Sequence, residues 1–600
     1  MAIPRNEYPR PQFVRKDWLC LNGPWEFEID AGDTGAERGL TERPLADKII
    51  VPFCPESKLS GLEHLDFMNT VWYRRTVSIP KAWSGRNVLL HFEAVDYEAT
   101  VWVNGRKVGQ HRGGWCGFTC DLTGAAQGGG KATIVVRARD LRADAGKPAG
   151  KQINWAYHPS GCNYPRTTGI WQSVWMEPVP AVRLNPPRIT PDVRGGRFLL
   201  TQPITNSRPG TALRVTLRDA KGIVCTVKAD ATQDFTPTLD LPIPKSRRRL
   251  WCCEDPFLYD IRIELLDGRG KVIDAADSYA GLRSITIDGK AVKLNGRSVF
   301  QRLVLDQGYY PDGILTAPSD KALVKDIELS MAAGFNGARL HQKVFEQRFL
   351  YHADRMGYLV WGEFGDWGID KASPKATYIG QWLEVLQRDY NHPSIVGWCP
   401  LNETGQPIPD GVEGLDDLTH GLFLAAKAMD TTRPVIDASG YSHRRQDTDI
   451  YDSHDYEQDP ASFKARHASL AQDDPYVNPG KAGQWSLPYA GQPFFISEFG
   501  GTWWHLEMNT HREKYASDLS WGFGMSPMTL EEFYQRFEGL CGVLLDDPHM
   551  FGYCYTQLTD VFQEQNGVYL FDRKPKFNIA RLRRAQARPA AIEHYGVRQP

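Results

Sequence analysis

Apolar positions over the first 180 residues come in short runs that alternate with polar ones. "TVWYRRTVSI", "NVLLHFEAV", "ATVWVNG" and "ATIVVRARD" are rich in Val, Ile, Thr and aromatics and are separated by Gly, Asn and Asp. Such runs predict strands, because β-branched and aromatic side chains pack well on a pleated surface. Asn104–Gly105, between two extended runs in "WVNGRKVG", predicts a hairpin turn. Residues 1–180 therefore read as an antiparallel β jelly-roll sandwich, with "GIWQSVWMEPVP" as its last strand. A second set, "RFLLTQPITN", "ALRVTLRDA", "GIVCTVKAD" and "YDIRIELLD", has the spacing of a small immunoglobulin-like β-sandwich over residues 181–285.

After "GLRSITIDGKAVKLNG" the period changes. In "SDKALVKDIELSMAAG", Leu323, Ile327 and Met331 recur every four residues, as on one face of a helix. The strand "FNGARLH", helix "EQRFLYHADRMG", strand "YLVWGEFG", helix "YIGQWLEVLQRDYN" and strand "IVGWCPLNE" follow, then helical "LTHGLFLAAKAMD" and extended "RPVIDASG". This alternation predicts a parallel sheet with crossover helices, and residues 286–600 suit a C-terminal (β/α)8 TIM barrel with insertions. The connection from Gln458 to Gln492, rich in Pro, Gly, Asp and Ser, is too long for a turn and reads as a lid or binding loop.

Three domains agree with the length of 600 residues, since one core stops growing near about 250–300. Lys and Arg total 70 against 72 Asp and Glu, so charge gives no reason to expect nucleic acid or an anionic membrane as partner. No run reaches the roughly 18 apolar residues of a membrane span. The start, "MAIPRNEYPRPQFVRKDW", has charges and prolines where a signal peptide has its apolar core. A cytoplasmic location is expected, although a precursor stripped of its leader would read the same way. The 11 cysteines lack a C-x-x-C pair; Cys116 and Cys120, four apart, and the adjacent Cys252–Cys253 read as reduced thiols. The 18 Trp and 24 Tyr can stack on a ligand's apolar face or fill large β cores.

Candidate chemistry lies at the ends of the most apolar runs. Glu403 closes "IVGWCPLNE" and Glu498 closes "FFISE", positions where a carboxylate is rare unless paired. In a TIM barrel the C-terminal strand ends form the active site. Two carboxylates meeting there suit glycoside hydrolysis, one protonating the departing oxygen and the other attacking the sugar carbon. A structural ion pair is the alternative.

The order of domains and several motifs resemble glycoside hydrolase family 2, the family of β-galactosidases, β-glucuronidases and β-mannosidases. "PRPQFVRKDWLCLNGPWEFEID" is similar to its opening strand, and "FEAVDYEATVWVNGRKVGQHRGGWCGFTCDLT" to its galactose-binding-like sugar-binding domain. "GFNGARLHQ", "LNE" and "ISEFG" look like three of its barrel signatures. The resemblance implies a retaining glycosidase with Glu403 as acid/base and Glu498 as nucleophile. It implies that Asn402 bonds the sugar 2-hydroxyl and that Arg339 holds the nucleophile ionised. Tyr456 would be the nucleophile's hydroxyl partner, or else wall packing. His341 lies two after Arg339 where relatives have their His three after, so it is either a ligand contact or a supporting histidine. Glu363 is a further strand-end contact, and Asp306, in "QRLVLDQGYYP", a further sugar ligand. Trp367, Trp503 and Trp504 either form stacking walls or are simply buried.

One departure bears on the substrate. β-Glucuronidases carry Asn-x-Lys before the glycine of the last barrel loop, where Lys meets the sugar carboxylate. Here Glu564, Gln565 and Asn566 stand before Gly567. The expectation is therefore an exo-acting enzyme on a neutral sugar, with β-galactosidase first and a β-galactofuranosidase, α-L-arabinofuranosidase or β-mannosidase as alternatives; a β-glucuronidase comes last. A non-catalytic carbohydrate-binding protein and an endo-acting barrel hydrolase are the readings from other classes. No cofactor or required metal is expected. The partner is a glycoside or oligosaccharide, and homo-oligomers are common in the family.

Overall fold

The computed structural model describes residues 2–142, 144, 146–232, 234–365, 376–404, 414–480, 483–505 and 520–594. The N-terminal strands form two antiparallel sheets. One holds, in spatial order, Asp47–Val51, Gly23–Ile29, Thr70–Ser78, Lys131–Arg139, Glu98–Val103 and Arg106–Arg112. The other holds Leu19–Cys20, Val174–Val179, Asn87–Phe92 and Phe118–Asp121. Trp25, Phe27, Tyr73, Leu90, Val136 and Met176 meet between them in one buried cluster. The expected hairpin is present: Asn104 and Gly105 take φ of 51° and 79°, the left-handed pair that a two-residue turn matched to strand twist requires.

The second sandwich pairs a three-stranded sheet, Arg188–Asp192, Arg197–Thr201 and Thr238–Pro242, with a four-stranded one, Gly222–Asp230, Ala212–Asp219, Tyr259–Leu266 and Val272–Ala280. Phe198, Leu213, Leu241 and Ile261 lie in its core. Trp251 packs in the core of the third domain and donates its indole N–H to Asp354 O at 2.7 Å, tying the sandwich to that domain.

That domain is a curled parallel sheet. Its strands are β1 (Gln301–Asp306), β2 (Gly337–Leu340), β3 (Leu359–Glu363), β4 (Ile395–Cys399), β5 (Tyr451–Asp455), β6 (Phe494–Gly500) and β7 (Met550–Thr556). They are ordered β4-β3-β2-β1-β7-β6-β5. The predicted extended segment "RPVIDASG" fills the remaining gap by isolated parallel bridges, Val435 with Trp398 and Ser439 with Asn402. The result is a TIM-like barrel.

Local chemistry sets the helices. In α1 (Asp320–Ala333), the Ser319 side chain accepts from Ala322 N, and Gly334 ends the helix at φ 105°. Leu323 and Ile327 are buried as expected, but Met331 is 37% exposed. A four-residue step overshoots a 3.6-residue turn by about 40°, so the third residue of such a row drifts off the buried face. Helices α2 (Gln347–Met356), α3 (Ala376–Asp389) and α4 (Gly414–Met429) follow where predicted. The long Gln458–Gln492 connection carries α5 (Pro460–His467), and α6 (Leu530–Asp546) and α7 (Ile579–Gln586) close the barrel.

Between Arg139 and Gly169 the chain leaves the first sandwich as an arm laid on the barrel. Gly150 N–H donates to Gly365 O at 3.0 Å, just beyond the end of β3, and Gln563 Nε2 donates to Gly161 O at 2.6 Å. No described helix is long and apolar enough to cross a membrane, and all eleven cysteines are unpaired.

Candidate active site

Register decides which side chains face the barrel axis. Leu305 pairs with Arg339, and Arg339 with Trp361, so Arg339, His341 and Glu363 share the inward face. His454 pairs with Glu498, placing Tyr456, two residues on, above them. These are C-terminal strand ends, where the barrel fold collects its chemistry.

Arg339 is the hub. Its Nε donates to Glu363 Oε2 at 2.7 Å, Nη1 to Glu498 Oε1 at 3.1 Å and to Ser497 O at 2.9 Å, and Nη2 to Asn402 Oδ1 at 2.5 Å. Burial opposes its charge, but Glu363 and Glu498 outweigh that and hold the guanidinium charged. Burial raises the Glu363 carboxyl, and Arg339 offsets part of that rise. His341 Nδ1 lies 3.1 Å from Glu363 Oε1 and 3.9 Å from Glu498 Oε1. Burial, then Lys151, keep its imidazole neutral, well below the usual histidine range.

Asn402 and Glu403 follow β4. Glu403 takes φ 44°, an uncommon left-handed conformation for a non-glycine residue, and its N–H donates to Ser439 O at 2.9 Å. Asn402 Nδ2 is buried with no partner among the described residues. His454 connects the two acids: Nδ1 donates to Glu403 Oε1 at 2.7 Å and lies 3.5 Å from Glu498 Oε2. Burial works against its charge, but Glu498 and Glu403 raise its pKa above the ordinary value. One oxygen each of Glu403 and Glu498 and one His454 nitrogen all lie within 4.8 Å of each other. Distance alone would let this trio hold a cation, which would have to displace the His454 and Tyr456 donors. The Tyr456 hydroxyl donates to Glu498 Oε2 and lies 3.2 Å from Thr556 Oγ1. Its ring stacks on Phe523, centroids 3.3 Å apart and planes at 4°. A cavity of about 1000 Å³ opens beside His454 and Tyr456, lined also by Tyr441, Tyr476, Asn478 and Arg536.

Two expected ligands lie elsewhere. Asp306 pairs with Leu340, whose parity is outward; it accepts Gly308 N–H at 2.9 Å, and burial together with Asp326 pushes its carboxyl up. The inward residue is the next one, Gln307. Trp504 turns away onto Phe533 of α6 and Phe577. Trp503 is half-buried, its indole N–H on Ser520 Oγ at 3.0 Å. Trp367 lies outside the described residues.

Sequence reasoning missed several neighbours. His454 was findable, because it stands two residues before Tyr456 on the same face of a strand. Gln307, Tyr164 and Lys151 were not. Tyr164, on the arm of the first domain, donates its hydroxyl to Glu564 Oε2, and Gln307 Nε2 donates to Tyr164 Oη at 3.0 Å.

Models of two family domains match this chain: "Glycosyl hydrolases family 2, sugar binding domain" over residues 62–176 and "Glycosyl hydrolases family 2" over 183–283. The chain thus carries two domains of glycosyl hydrolase family 2. Among proteins similar to it is a β-glucuronidase of Paenibacillus borealis, 26% identical over 69% of this chain and 72% of its own. A β-glucuronidase of Bacteroides fragilis is 27% identical over 70% of this chain and 61% of its own. A β-galactosidase of Aeromonas hydrophila is 25% identical over 71% and 42%. The chain thus spans under two thirds of several relatives' lengths. The solved β-glucuronidase of Ruminococcus gnavus bound to D-glucuronic acid superposes with a TM-score of 0.76 at 19% identity, over 97% of this chain and 100% of that one. This likeness shows the shared fold.

Proposed function

We propose that this protein is an exo-acting retaining β-glycosidase in which Glu498 attacks the anomeric carbon and Glu403 serves as acid/base. The observation that carries the reading is the spacing of the two acids, whose facing oxygens lie within 4.8 Å. Retaining enzymes hold their carboxyl groups about 5–5.5 Å apart, whereas inverting ones leave about 6.5–9.5 Å for a water. In the first step Glu498 Oε forms a bond to the sugar as the glycosidic bond breaks, and Glu403 gives its proton to the leaving oxygen. In the second, Glu403 takes a proton from water, whose oxygen displaces Glu498. Arg339 and Tyr456 both donate to Glu498, which fixes the orientation of its carboxyl group. Asn402 Nδ2 supplies a donor for a sugar hydroxyl.

For the sugar, we infer a β-glucuronide ahead of a β-galactoside, reversing the expectation from the last barrel loop. The first relatives carry the name β-glucuronidase. The Glu564 carboxylate itself is engaged by two neutral donors: Tyr164 donates to Oε2, and Asn566 Nδ2 donates to Oε1 at 3.2 Å. A β-galactoside is the second reading, since relatives of that name also match. A panel of nitrophenyl glycosides with uronic, neutral and furanosidic sugars tests this. Turnover of the β-glucuronide above the others supports the reading, and no turnover of any glycoside defeats it.

A further inference from the structure

Neutral side chains and one carboxylate close a hydrogen-bonded ring at the mouth of the barrel, where β1 and β7 end. Gln307 immediately follows β1 and, two residues after Leu305, shares the inward parity of Arg339. Gln557 immediately follows β7, next to Thr556, whose hydroxyl lies 3.2 Å from Tyr456 Oη, the donor to Glu498. Gln307 Nε2 donates to Gln557 Oε1 at 2.6 Å and to Tyr164 Oη at 3.0 Å. Gln557 Nε2 donates to Asn566 Oδ1 at 2.7 Å and Asn566 Nδ2 to Glu564 Oε1 at 3.2 Å. The Tyr164 hydroxyl, brought by the arm of the first domain, donates to Glu564 Oε2 and completes the ring. All of these side chains are buried.

The ring has a direction, and Glu564 sets it. Both of its oxygens accept, so the Asn566 amide must turn its NH2 to Glu564 and its oxygen to Gln557. Gln557 then turns its own oxygen to Gln307. From the other side, the Tyr164 hydroxyl spends its proton on Glu564 and offers Gln307 only a lone pair. Gln307 therefore presents its NH2 to both neighbours, and its oxygen is left over. Gln307 Oε1 is buried and has no partner among the described residues. A buried acceptor in that state costs stability until something supplies a donor. The frame around it is stiff. The Tyr164 ring meets Tyr309 edge-on with centroids 4.8 Å apart, and Val561 and Glu564 exchange backbone hydrogen bonds of 2.9 and 3.0 Å.

Topology says which part of a sugar reaches this oxygen. With residues 435–439 filling the gap beside β4, the strand order puts β7, and β1 next to it, across the barrel from β4 and from the Asn402 and Glu403 that follow it. A sugar whose glycosidic oxygen meets Glu403 turns its far edge toward Gln307. We propose that Gln307 is a substrate-binding residue whose Oε1 accepts a hydrogen bond from the sugar's 3- or 4-hydroxyl, the ring hydroxyls remote from the anomeric carbon. An acceptor there demands a free O–H, so the site takes a terminal sugar that is unsubstituted at that position. Tyr164 and Glu564 are positioning residues that keep the amide oxygen turned to the sugar. This inference rests on the glycosidase reading above, and holds for a uronide and a galactoside alike.

The test takes the 4-nitrophenyl β-glycoside that wild type cleaves best, with its 3-deoxy and 4-deoxy analogues. It compares kcat/KM in wild type and in Gln307→Met, which keeps the length of the side chain without its amide. Wild type should lose about 10- to 100-fold on one of the two analogues, because the missing hydroxyl leaves a buried acceptor unpaired. Gln307→Met should lose a similar factor on the parent glycoside, and less than about 3-fold more on that same analogue, since the two changes remove one interaction. If Gln307→Met does not fold, Gln307→Ala, which leaves room for water beside Gln557 and Tyr164, is read in its place. A variant that weakens parent and analogue by the same factor has lost structure rather than a substrate contact, and overturns the inference alone. So does a wild type indifferent to both deoxy sugars. A wild type that cleaves no glycoside overturns the glycosidase reading and the inference with it.

Discussion

His454 Nδ1 lies 2.7 Å from Glu403 Oε1, and the far side of the same ring rests on Ser439 Oγ at 3.1 Å. Ser439 passes its hydroxyl on to Asp452 Oδ2 at 2.8 Å, so the imidazole is held from both edges. The Gln458–Gln492 connection adds a backbone clamp: Asn478 Oδ1 accepts His454 N–H at 2.8 Å, and its Nδ2 donates to His454 O at 2.6 Å. A ring fixed this firmly positions the carboxyl of Glu403. His454→Gln should lower kcat by about 10- to 150-fold, the worth of a hydrogen bond to a charged group, with KM little changed. Steady-state kinetics that show a raised KM and an intact kcat would reject this role.

Removal of Glu498 is the more severe change. Glu498→Gly leaves no oxygen to form the glycosyl intermediate, and activity should fall by at least about 10⁴-fold, the scale seen when a catalytic unit loses a member. The vacated space then admits a small anion. Azide should restore turnover, and the glycosyl azide should have inverted configuration, because only one displacement occurs. NMR of the product decides: a retained azide would show that Glu498 is not the nucleophile.

Glu403→Ala should separate substrates by leaving group. Proton donation matters most when the departing oxygen is basic, so alkyl glycosides should lose about 10²–10⁴-fold while dinitrophenyl glycosides lose far less in the first step. Equal losses across a leaving-group series would remove Glu403 from the acid role.

Much of this was legible in the chain. Glu403 and Glu498 stood out because each ends an apolar run that a parallel barrel buries on both faces. Arg339, Glu363 and Tyr456 share the inward parity of their strands, a period of two that a sequence displays. Asp306 was misread by that same rule: one step along β1 turns a side chain from the pocket to the helix layer, and Gln307 takes the inward place. For Trp504 the reading of plain burial applies, because an aromatic in a loop has no periodicity and its neighbours on α6 decide where it packs. Lys151 and Tyr164 carried no local signal at all. Their positions arise from contacts across roughly 200 to 400 residues of chain, as between Tyr164 and Glu564. Long-range docking of one domain on another is invisible to spacing and composition.

Behind His454 lies a second histidine with a consequence for pH. His443 is buried between two acids, Nδ1 at 2.7 Å from Asp437 Oδ1 and Nε2 at 3.0 Å from Asp452 Oδ1. Burial disfavours its charge, yet Asp437 and Asp452 more than offset that and push its pKa up to about 10. An unfolded histidine titrates near about 6.5. A folded pKa above the unfolded one means that the native state binds the proton more tightly. Its stabilisation is therefore full below about pH 6.5 and fades as pH rises toward 10. His443→Gln removes this titration and leaves Asp437 and Asp452 without their cation, at a cost on the order of 3–5 kcal/mol at pH 6. The gap in melting temperature between wild type and variant should be widest at or below pH 6.5 and should narrow steadily toward pH 10. A gap that stays level or widens over that range would mean that His443 is not a buried cation. Asp452 would then be held by the Ser439 hydroxyl, Gly440 N–H and His454 without a second cation behind it.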